Sequence, residues 1–437
     1  MKISHKYKIC VIGAGHVGLV TAACFSEMGY KVICVDNDAA KISSLKKKIL
    51  PFYEPELEKI VIKNTKNGNL IFSSLLEQSI RKSDIIFIVV GTPPLSDGSA
   101  DLTSIENVAR AIADNLNSYK LIVEKSTVPV QTGSKVKETI HRYKKSDVEF
   151  DIASNPEFLR EGKAIYDFFH PDRVVFGVEH ARAEQILRRL YSTIKAPVIV
   201  TDINTAELIK HASNSFLATK ISFINAVARI CDLAGANVNK VAEGMGLDKR
   251  IGNDFLSAGL GYGGFCFPKD LEAFAYISKK LGYDFNLLQE VKRINEEQRR
   301  YFVEKIKEHL WVVKNKKIAI LGLSFKPNTD DMRFAPSIDI VNFLLKEGAV
   351  IKLYDPQAVR EAKKIFKNPK LKFVKNAYEA LDKCDCACFL TEWEEFKKLD
   401  FLKLKKIMHY PLIADGRNMF DKNLLEAAGF KYIGIGM

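Results

Sequence analysis

Residues 7–36 read YKICVIGAGHVGLVTAACFSEMGYKVICVD, and their pattern decides the fold class. A short apolar run with β-branched residues, 7–12, stops at Gly13-Ala14-Gly15-His16-Val17-Gly18. A helix-like segment then reaches Met28, Gly29 stops it, and Lys31–Val35 forms a second apolar run ending at Asp36. Strand, glycine turn, helix and strand make one βαβ unit. In such a unit Gly13 permits the tight turn, Gly15 lets the backbone approach a pyrophosphate, and Gly18 lets helix and strand pack closely. The free N–H groups of the helix N-terminus would meet the pyrophosphate. Asp36, about 20 residues on, would accept hydrogen bonds from ribose hydroxyls and repel a 2′-phosphate, so NAD is expected rather than NADP. Lys41, one turn into the next helix, is within reach of ribose or phosphate.

The alternation continues. Asp84–Val90 and Leu121–Glu124 are strand-like, ending at Gly91-Thr92-Pro93-Pro94 and at Lys125-Ser126-Thr127-Val128-Pro129. From Asn204 to Ala234 the chain is Ala-rich, free of proline and apolar at helical spacing, which predicts one long helix that joins domains or forms a dimer interface. A second βαβ pattern follows: strand Lys317–Leu321, helix Ser337–Leu345, and strand Ala349–Tyr354 ending at Asp355-Pro356, with further strands at Cys386–Leu390 and Leu412–Ala414. This second unit reads Gly322-Leu323-Ser324-Phe325-Lys326-Pro327 and lacks the glycine fingerprint. The expected fold is α/β: two Rossmann-like, doubly wound parallel-sheet domains joined by a long central helix and a helical middle domain. The expected boundaries are 1–203, 204–312 and 313–437.

Composition narrows the class. A hydrophobic fraction of 47% and a charged fraction of 27% describe a soluble globular chain. The apolar stretch Ile9–Val20 is broken by three glycines and a histidine, so it begins a strand rather than a signal peptide. The net charge of +13 suits anionic small molecules, an anionic membrane surface or nucleic acid. The basic residues are scattered, with Lys46–Lys48 the longest lysine run, and no nucleic-acid motif accompanies them, so neither nucleic acid nor membrane is expected as a partner. Of eight cysteines, Cys10, Cys24 and Cys34 lie in apolar elements, and Cys384, Cys386 and Cys388 alternate without a zinc pattern. That usage fits a reducing cytoplasm, and no metal is expected.

Cys266 is different. Residues 255–270 read FLSAGLGYGGFCFPKD: a glycine-rich loop delivers a cysteine, with a lysine and an aspartate just beyond it. Such a loop allows close backbone approach to a ligand. Asn155–Gly162 places Glu157 and Glu161 four apart, on one face if helical. Lys210 and Asn214, also four apart, are polar on an otherwise apolar helix. Thr127 ends a strand of the first sheet, where ligands bind in open α/β sheets.

These segments resemble the UDP-glucose dehydrogenases of the nucleotide-sugar dehydrogenase family. The shared signature comprises Asn155–Gly162, Pro171-Asp172-Arg173, the Lys210/Asn214 helix, Arg250-Ile251-Gly252, Phe255–Asp270 and Phe325-Lys326-Pro327. The resemblance implies two successive NAD-dependent oxidations of the C6 alcohol of UDP-glucose, with Cys266 as nucleophile and a thioester intermediate. In it Asp270 is a general base through a water, Glu157 with Thr127 positions the hydrolytic water, and Lys210 and Asn214 stabilise the developing oxyanion. Val17, Asp36, Lys41, Thr127, Glu161, Lys269 and Arg333 would line the NAD site with Gly13, Gly15 and Gly18. Glu157, Phe158, Leu159, Arg160, Glu161, Lys210, Asn214, Phe255, Leu256, Ser257, Ala258, Gly259, Gly263 and Lys326 would hold the nucleotide-sugar, with Arg417 from the looser Asp415–Asn418 match. Arg250 matches an arginine that completes the neighbouring subunit's site, which implies a homodimer or larger homo-oligomer. His16 stands where the family usually has tyrosine and is assigned no chemistry; Phe265 replaces a common serine beside Cys266. The same chemistry on GDP-mannose or a UDP-N-acetylhexosamine is the nearest alternative. A two-electron hydroxyacid dehydrogenase and a non-catalytic nucleotide sensor are the others.

Overall fold

The computed structural model describes residues 7–437, so the basic residues 1–6 lie outside the described residues. The chain divides into two compact units. One comprises the described residues up to Ser213 with Glu272–Tyr283; the other comprises Asn214–Leu271 and Asp284–Met437.

The first unit is built on β1 (Lys8–Ile12), β2 (Lys31–Val35), β3 (Leu70–Ser73), β4 (Ile85–Ile88), β5 (Lys120–Glu124), β6 (Phe150–Ser154), β7 (Val174–Val178) and β8 (Val198–Thr201). Their order in the sheet is β3-β2-β1-β4-β5-β6-β7-β8. The first six strands are parallel in doubly wound order, and the reversal between β1 and β4 places a ligand crevice at their carboxyl ends. The inner strands β1, β4 and β5 are apolar almost throughout because helices cover both faces. Phe25 on the first helix (His16–Glu27) lies 5.2 Å, ring centre to ring centre, from Phe87 of β4, fixing that helix to the sheet, and packs edge-on against Phe168 and Tyr191 of neighbouring segments.

One feature departs from a purely parallel sheet. β7 runs antiparallel to β6, and β8 follows β7 in parallel. The return from β6 is the loop Asn155–Gly162 and a single short helix, Ala164–Phe169. An antiparallel neighbour needs only a return to the same edge, not a crossover over the sheet.

The second unit holds β9 (Lys317–Leu321), β10 (Val350–Tyr354), β11 (Leu371–Phe373), β12 (Cys386–Phe389), β13 (Leu412–Asp415) and β14 (Lys431–Ile433), all parallel, in the order β11-β10-β9-β12-β13-β14. The winding is that of the first six strands of the other sheet. Cys386 and Cys388 point to one face of β12 with their sulfurs 3.7 Å apart. Cys10, Cys24 and Cys34 are fully buried, as small apolar side chains.

The central helix spans Ile203–Ala234, unbroken for 32 residues. Glu207, Lys210, His211 and Asn214 lie three and four apart along it and are all buried. Among the described residues no helix is long and apolar enough to cross a membrane.

Candidate active site

The end of β1 is shaped for a dinucleotide. Gly13 has φ +109°, and a Cβ there would lie 2.1 Å from the Val89 carbonyl oxygen. A Cβ on Gly18 would lie 1.9 Å from the Gly13 oxygen, whereas Gly15 faces open space. Gly15 caps the first helix without a side chain, so the N–H groups of its first turn are left for a ligand. Asp36 accepts from the Ala14 N–H at 2.8 Å, the Asp38 N–H at 2.9 Å and Lys41 Nζ at 2.9 Å. Burial works against its charge, but the hydrogen bonds from Asp38, Lys41 and Ala14 hold its carboxyl below the usual carboxylate range. The His16 ring stacks on Phe52 at 3.9 Å.

Asn155–Gly162 forms a loop rather than a helix, so Glu157 and Glu161 do not share a helical face. Asn155 precedes a proline, which disfavours helical backbone there. Glu157 instead turns back: one oxygen accepts the Leu159 N–H at 2.6 Å and the other lies 3.2 Å from Lys210 Nζ. Lys210 Nζ also lies 5.3 Å from the Phe158 ring centre, with the Arg173 guanidinium 3.6 Å from that ring. Arg160 is paired with Asp167 at 2.6 Å. The far end of the loop is held by Glu54, which accepts from the Gly162 N–H at 2.7 Å and the Ala164 N–H at 2.9 Å. A cavity of about 170 Å³, lined in part by Lys125, Glu157, Phe158, Arg160 and Arg173, opens beside the loop.

Several residues beneath this region escape a reading of the sequence. Lys125 is buried and donates to Asn155 Oδ1 at 3.0 Å. Burial pulls its ammonium down to about 8, with the Glu157 charge opposing. Glu124, beside it, accepts the Ser126 N–H at 2.8 Å with one oxygen, and burial raises its carboxyl to about 8. The Thr127 segment is anchored from the central helix. His211 Nε2 contacts the Val128 carbonyl at 2.7 Å, and Glu207 accepts from the N–H groups of Gln131 and Gly133. Burial raises Glu207 to about 7. The signal was the one that singled out Lys210 and Asn214: polar residues at helical spacing on an apolar helix.

In the second unit, Cys266 is the first residue of a helix, Cys266–Lys280, at the end where N–H groups favour negative charge. Asp270, one turn on, is fully buried; it accepts from Asn214 Nδ2 at 2.6 Å and lies 2.7 Å from Lys269 Nζ. Phe265 has the Arg333 guanidinium 4.6 Å and the Lys269 ammonium 5.8 Å from its ring centre. Phe255 takes a left-handed backbone, φ 65°. Leu256 and Ala258 are buried beside Gly259, while Ser257 is exposed. Gly263 is pressed against Phe334 and Phe325, and Lys326 Nζ stands 5.4 Å from the Phe325 ring centre. Arg417 donates to the carbonyls of Leu390 and Phe325, so its guanidinium braces loops of its own unit. Arg250 is largely exposed and, among the described residues, paired with its neighbour Asp248 alone.

Three family models cover the chain: the NAD-binding domain of the UDP-glucose/GDP-mannose dehydrogenase family matches residues 7–195, its central domain 204–297 and its UDP-binding domain 319–422. The chain belongs to the UDP-glucose/GDP-mannose dehydrogenase family. It is an NAD-dependent dehydrogenase. Among similar proteins, the UDP-glucose 6-dehydrogenase TuaD of Bacillus subtilis (strain 168) is 47% identical over 98% of this chain and 93% of its own length. The UDP-glucose 6-dehydrogenase of Rhizobium meliloti (strain 1021) is 44% identical over 98% and 99%. A UDP-glucose dehydrogenase structure from Pyrobaculum islandicum superposes with a TM-score of 0.92 at 36% identity, covering 100% of this chain and 99% of that one.

Proposed function

We propose that this dehydrogenase oxidises the C6 alcohol of UDP-glucose to a carboxylate in two NAD-dependent steps through a thioester on Cys266. The observation that carries the reading is the Asn214–Asp270–Lys269 cluster one helical turn from the Cys266 thiol. The choice of sugar rests on the relatives named UDP-glucose 6-dehydrogenase at 44–47% identity over nearly the whole chain. A UDP-N-acetylmannosamine dehydrogenase structure from Pyrococcus horikoshii is only 26% identical.

A bound NAD would supply the hydride acceptor for each of the two oxidations. The residues of the chain do the rest. Asp270, through a water, removes the proton of the C6 hydroxyl as the alcohol becomes an aldehyde. The Cys266 thiolate adds to that aldehyde, giving a thiohemiacetal whose oxygen takes up a proton. Loss of that proton and of the second hydride leaves the thioester. Glu157, with Thr127, positions the water that adds to the thioester carbon; the carbon–sulfur bond breaks and Cys266 leaves as thiolate. Lys210 and Asn214 stabilise the oxygen that becomes negative, and a donor so placed is worth about 3–4 kcal/mol. Asp36, Lys41 and the turn Gly13–Gly18 bind NAD, with Val17, Glu161, Lys269 and Arg333 completing its site. The segments Glu157–Glu161 and Phe255–Gly259, with Gly263, Lys326 and Arg417, hold the nucleotide-sugar.

A homodimer is part of the proposal. Phe216, Phe223 and Ile230, seven apart on the central helix, are each at least half exposed, and a second copy of this helix would cover them. Arg250, exposed and paired with Asp248, would then serve the partner's substrate. The product, a UDP-linked hexuronate, suits transfer into an acidic polysaccharide.

The test is to assay each nucleotide-sugar with the purified enzyme. UDP-glucose is expected to give the highest kcat/KM, and Cys266→Ser to stall before the second oxidation. Turnover of GDP-mannose alone, or unaltered turnover by Cys266→Ser, contradicts the proposal.

A further inference from the structure

We infer that three buried amide side chains, Asn225, Asn295 and Gln298, are positioning residues for the proposed reaction, holding the glycine-rich loop before Cys266 by its own backbone groups. The inference rests on the thioester reading only in that Cys266 is the nucleophile being placed.

Residues 257–264 belong to neither a helix nor a strand, so no ladder satisfies their peptide groups. Amides meet that demand, because a carboxamide offers an acceptor and donors at peptide-like spacing. The Gly259 N–H donates to Asn225 Oδ1 at 2.8 Å, and its carbonyl accepts from Gln298 Nε2 at 3.0 Å. The Tyr262 N–H donates to Asn295 Oδ1 at 2.8 Å, and its carbonyl accepts from Asn295 Nδ2 at 3.1 Å. Thus the N–H and the carbonyl of two loop residues, Gly259 and Tyr262, are held by side chains from helices. Asn295 and Gln298 share one face of the helix Asn286–Leu310, and Asn225 stands on the central helix.

Two of these contacts are braced further. Gln298 Oε1 accepts from Arg229 at 3.2 Å. Arg299, adjacent on the same helix, is paired with Asp339 and adds a 3.1 Å bond to the Tyr262 carbonyl. All three amides are at most 3% exposed, so water does not compete for their partners. Gly261 is shaped to this contact: its φ is +89°, and a Cβ would fall 2.2 Å from Asn295 Oδ1. The loop's last turn is tied by the Gly264 N–H to the Arg333 carbonyl at 2.9 Å, two residues before Cys266.

Glycine-rich backbone is otherwise free to wander. A displacement of about 1 Å at a reacting group costs on the order of 100-fold in rate. The amides therefore act through the loop, on where the thiol and the segment Phe255–Gly259 stand.

The experiment uses Asn295→Asp, which keeps the acceptor and loses the donor; Asn295→Ala, which loses both; and Gln298→Glu, which frees the Gly259 carbonyl but leaves Tyr262 held. Per folded molecule, kcat is expected to fall roughly 10- to 100-fold, with Asn295→Ala below Asn295→Asp. KM for UDP-glucose rises while KM for NAD stays within about twofold, and the rate of Cys266 alkylation by iodoacetamide changes, read against a Cys266→Ala background. Gln298→Glu keeps the test open should the Asn295 variants not fold. A fall in melting temperature alone, with kcat and alkylation unchanged per folded molecule, overturns the inference. The wild-type NADH yield per sugar is read in parallel. If that yield is wrong while alkylation still responds to the variants, the thioester reading fails and the clamp stands.

Discussion

The second sheet follows the order of the first six strands of the other and carries the same carboxylate, but the two use it in opposite ways. In the first, Gly13 donates to the Val35 carbonyl and Asp36 ends β2; in the second, Gly322 donates to the Tyr354 carbonyl and Asp355 ends β10. Both glycines have positive φ. Asp36 is bound by two backbone N–H groups and by Lys41, a partly exposed cation that a ribose would displace in the proposed NAD site. Asp355 is saturated by its own chain. It accepts from the N–H groups of Leu323, Ser324, Gln357 and Ala358, from the Ser324 hydroxyl and from Trp393 Nε1. The helix that follows Gly13 begins at once, at His16, whereas after Gly322 it waits until Pro336. The intervening loop, which Asp355 holds, carries Lys326 and Arg333. One winding has thus produced a dinucleotide turn in one half and a braced loop of cations in the other.

That contrast can be broken most forcefully at Asp355. Asp355→Asn turns a six-fold acceptor into a partial donor facing donors, and is expected to cost about 3 kcal/mol or more. The melting temperature should fall by roughly 6–12 °C, while the folded fraction binds NAD with unchanged affinity. Loss of NAD binding without loss of stability would contradict the contrast. Asp36→Asn should do the reverse. NAD binding by calorimetry is expected to weaken roughly 10- to 100-fold, the preference for NAD over NADP to shrink, and the melting temperature to stay within about 2 °C.

The equivalent strands β5 and β13 sharpen the comparison through pH. Asp415, ending β13, has both oxygens bonded, to Arg417 N–H and to Phe420 N–H and the Tyr432 hydroxyl. Glu124, ending β5, has one oxygen without a partner among the described residues. Its folded carboxyl is raised from about 4.5 to about 8, so its contribution to stability is whole below about pH 4.5 and is lost as pH rises through 8. Glu124→Gln, which never ionises, should therefore melt near wild type at pH 5 and several degrees above it at pH 8.5. An equal difference at both values would show that this carboxyl does not titrate in the fold. The smallest effect is expected at Lys41→Met. A partly exposed pair is worth up to about 1 kcal/mol, so NAD binding should weaken only two- to fivefold.

Much of this was legible in the chain. The apolar runs at β1, β2, β9 and β10 and the glycine turn after β1 read directly, because inner parallel strands are apolar throughout and glycine marks their exits. The reversed direction of β7 was not, since a strand's own residues do not encode which way its neighbour runs. The three-residue strands β11 and β14 are too short to show a period. The site divides likewise. Cys266, Asp270, Lys210 and Asn214 stood out as polar or reactive groups in the wrong surroundings. Lys125, Asn295 and Gln298 look like surface residues until the fold buries them, and Glu157 took its place through a loop where spacing suggested a helix. The role of Asp355 is invisible in sequence, because all but one of its donors are backbone N–H groups or a neighbouring serine.

The measurement that bears most directly on the proposed chemistry is the NADH formed per UDP-glucose consumed to completion, with the sugar product identified by mass. A thioester on Cys266 requires two NADH and a UDP-linked hexuronate. One NADH with an aldehyde or ketone product would contradict it.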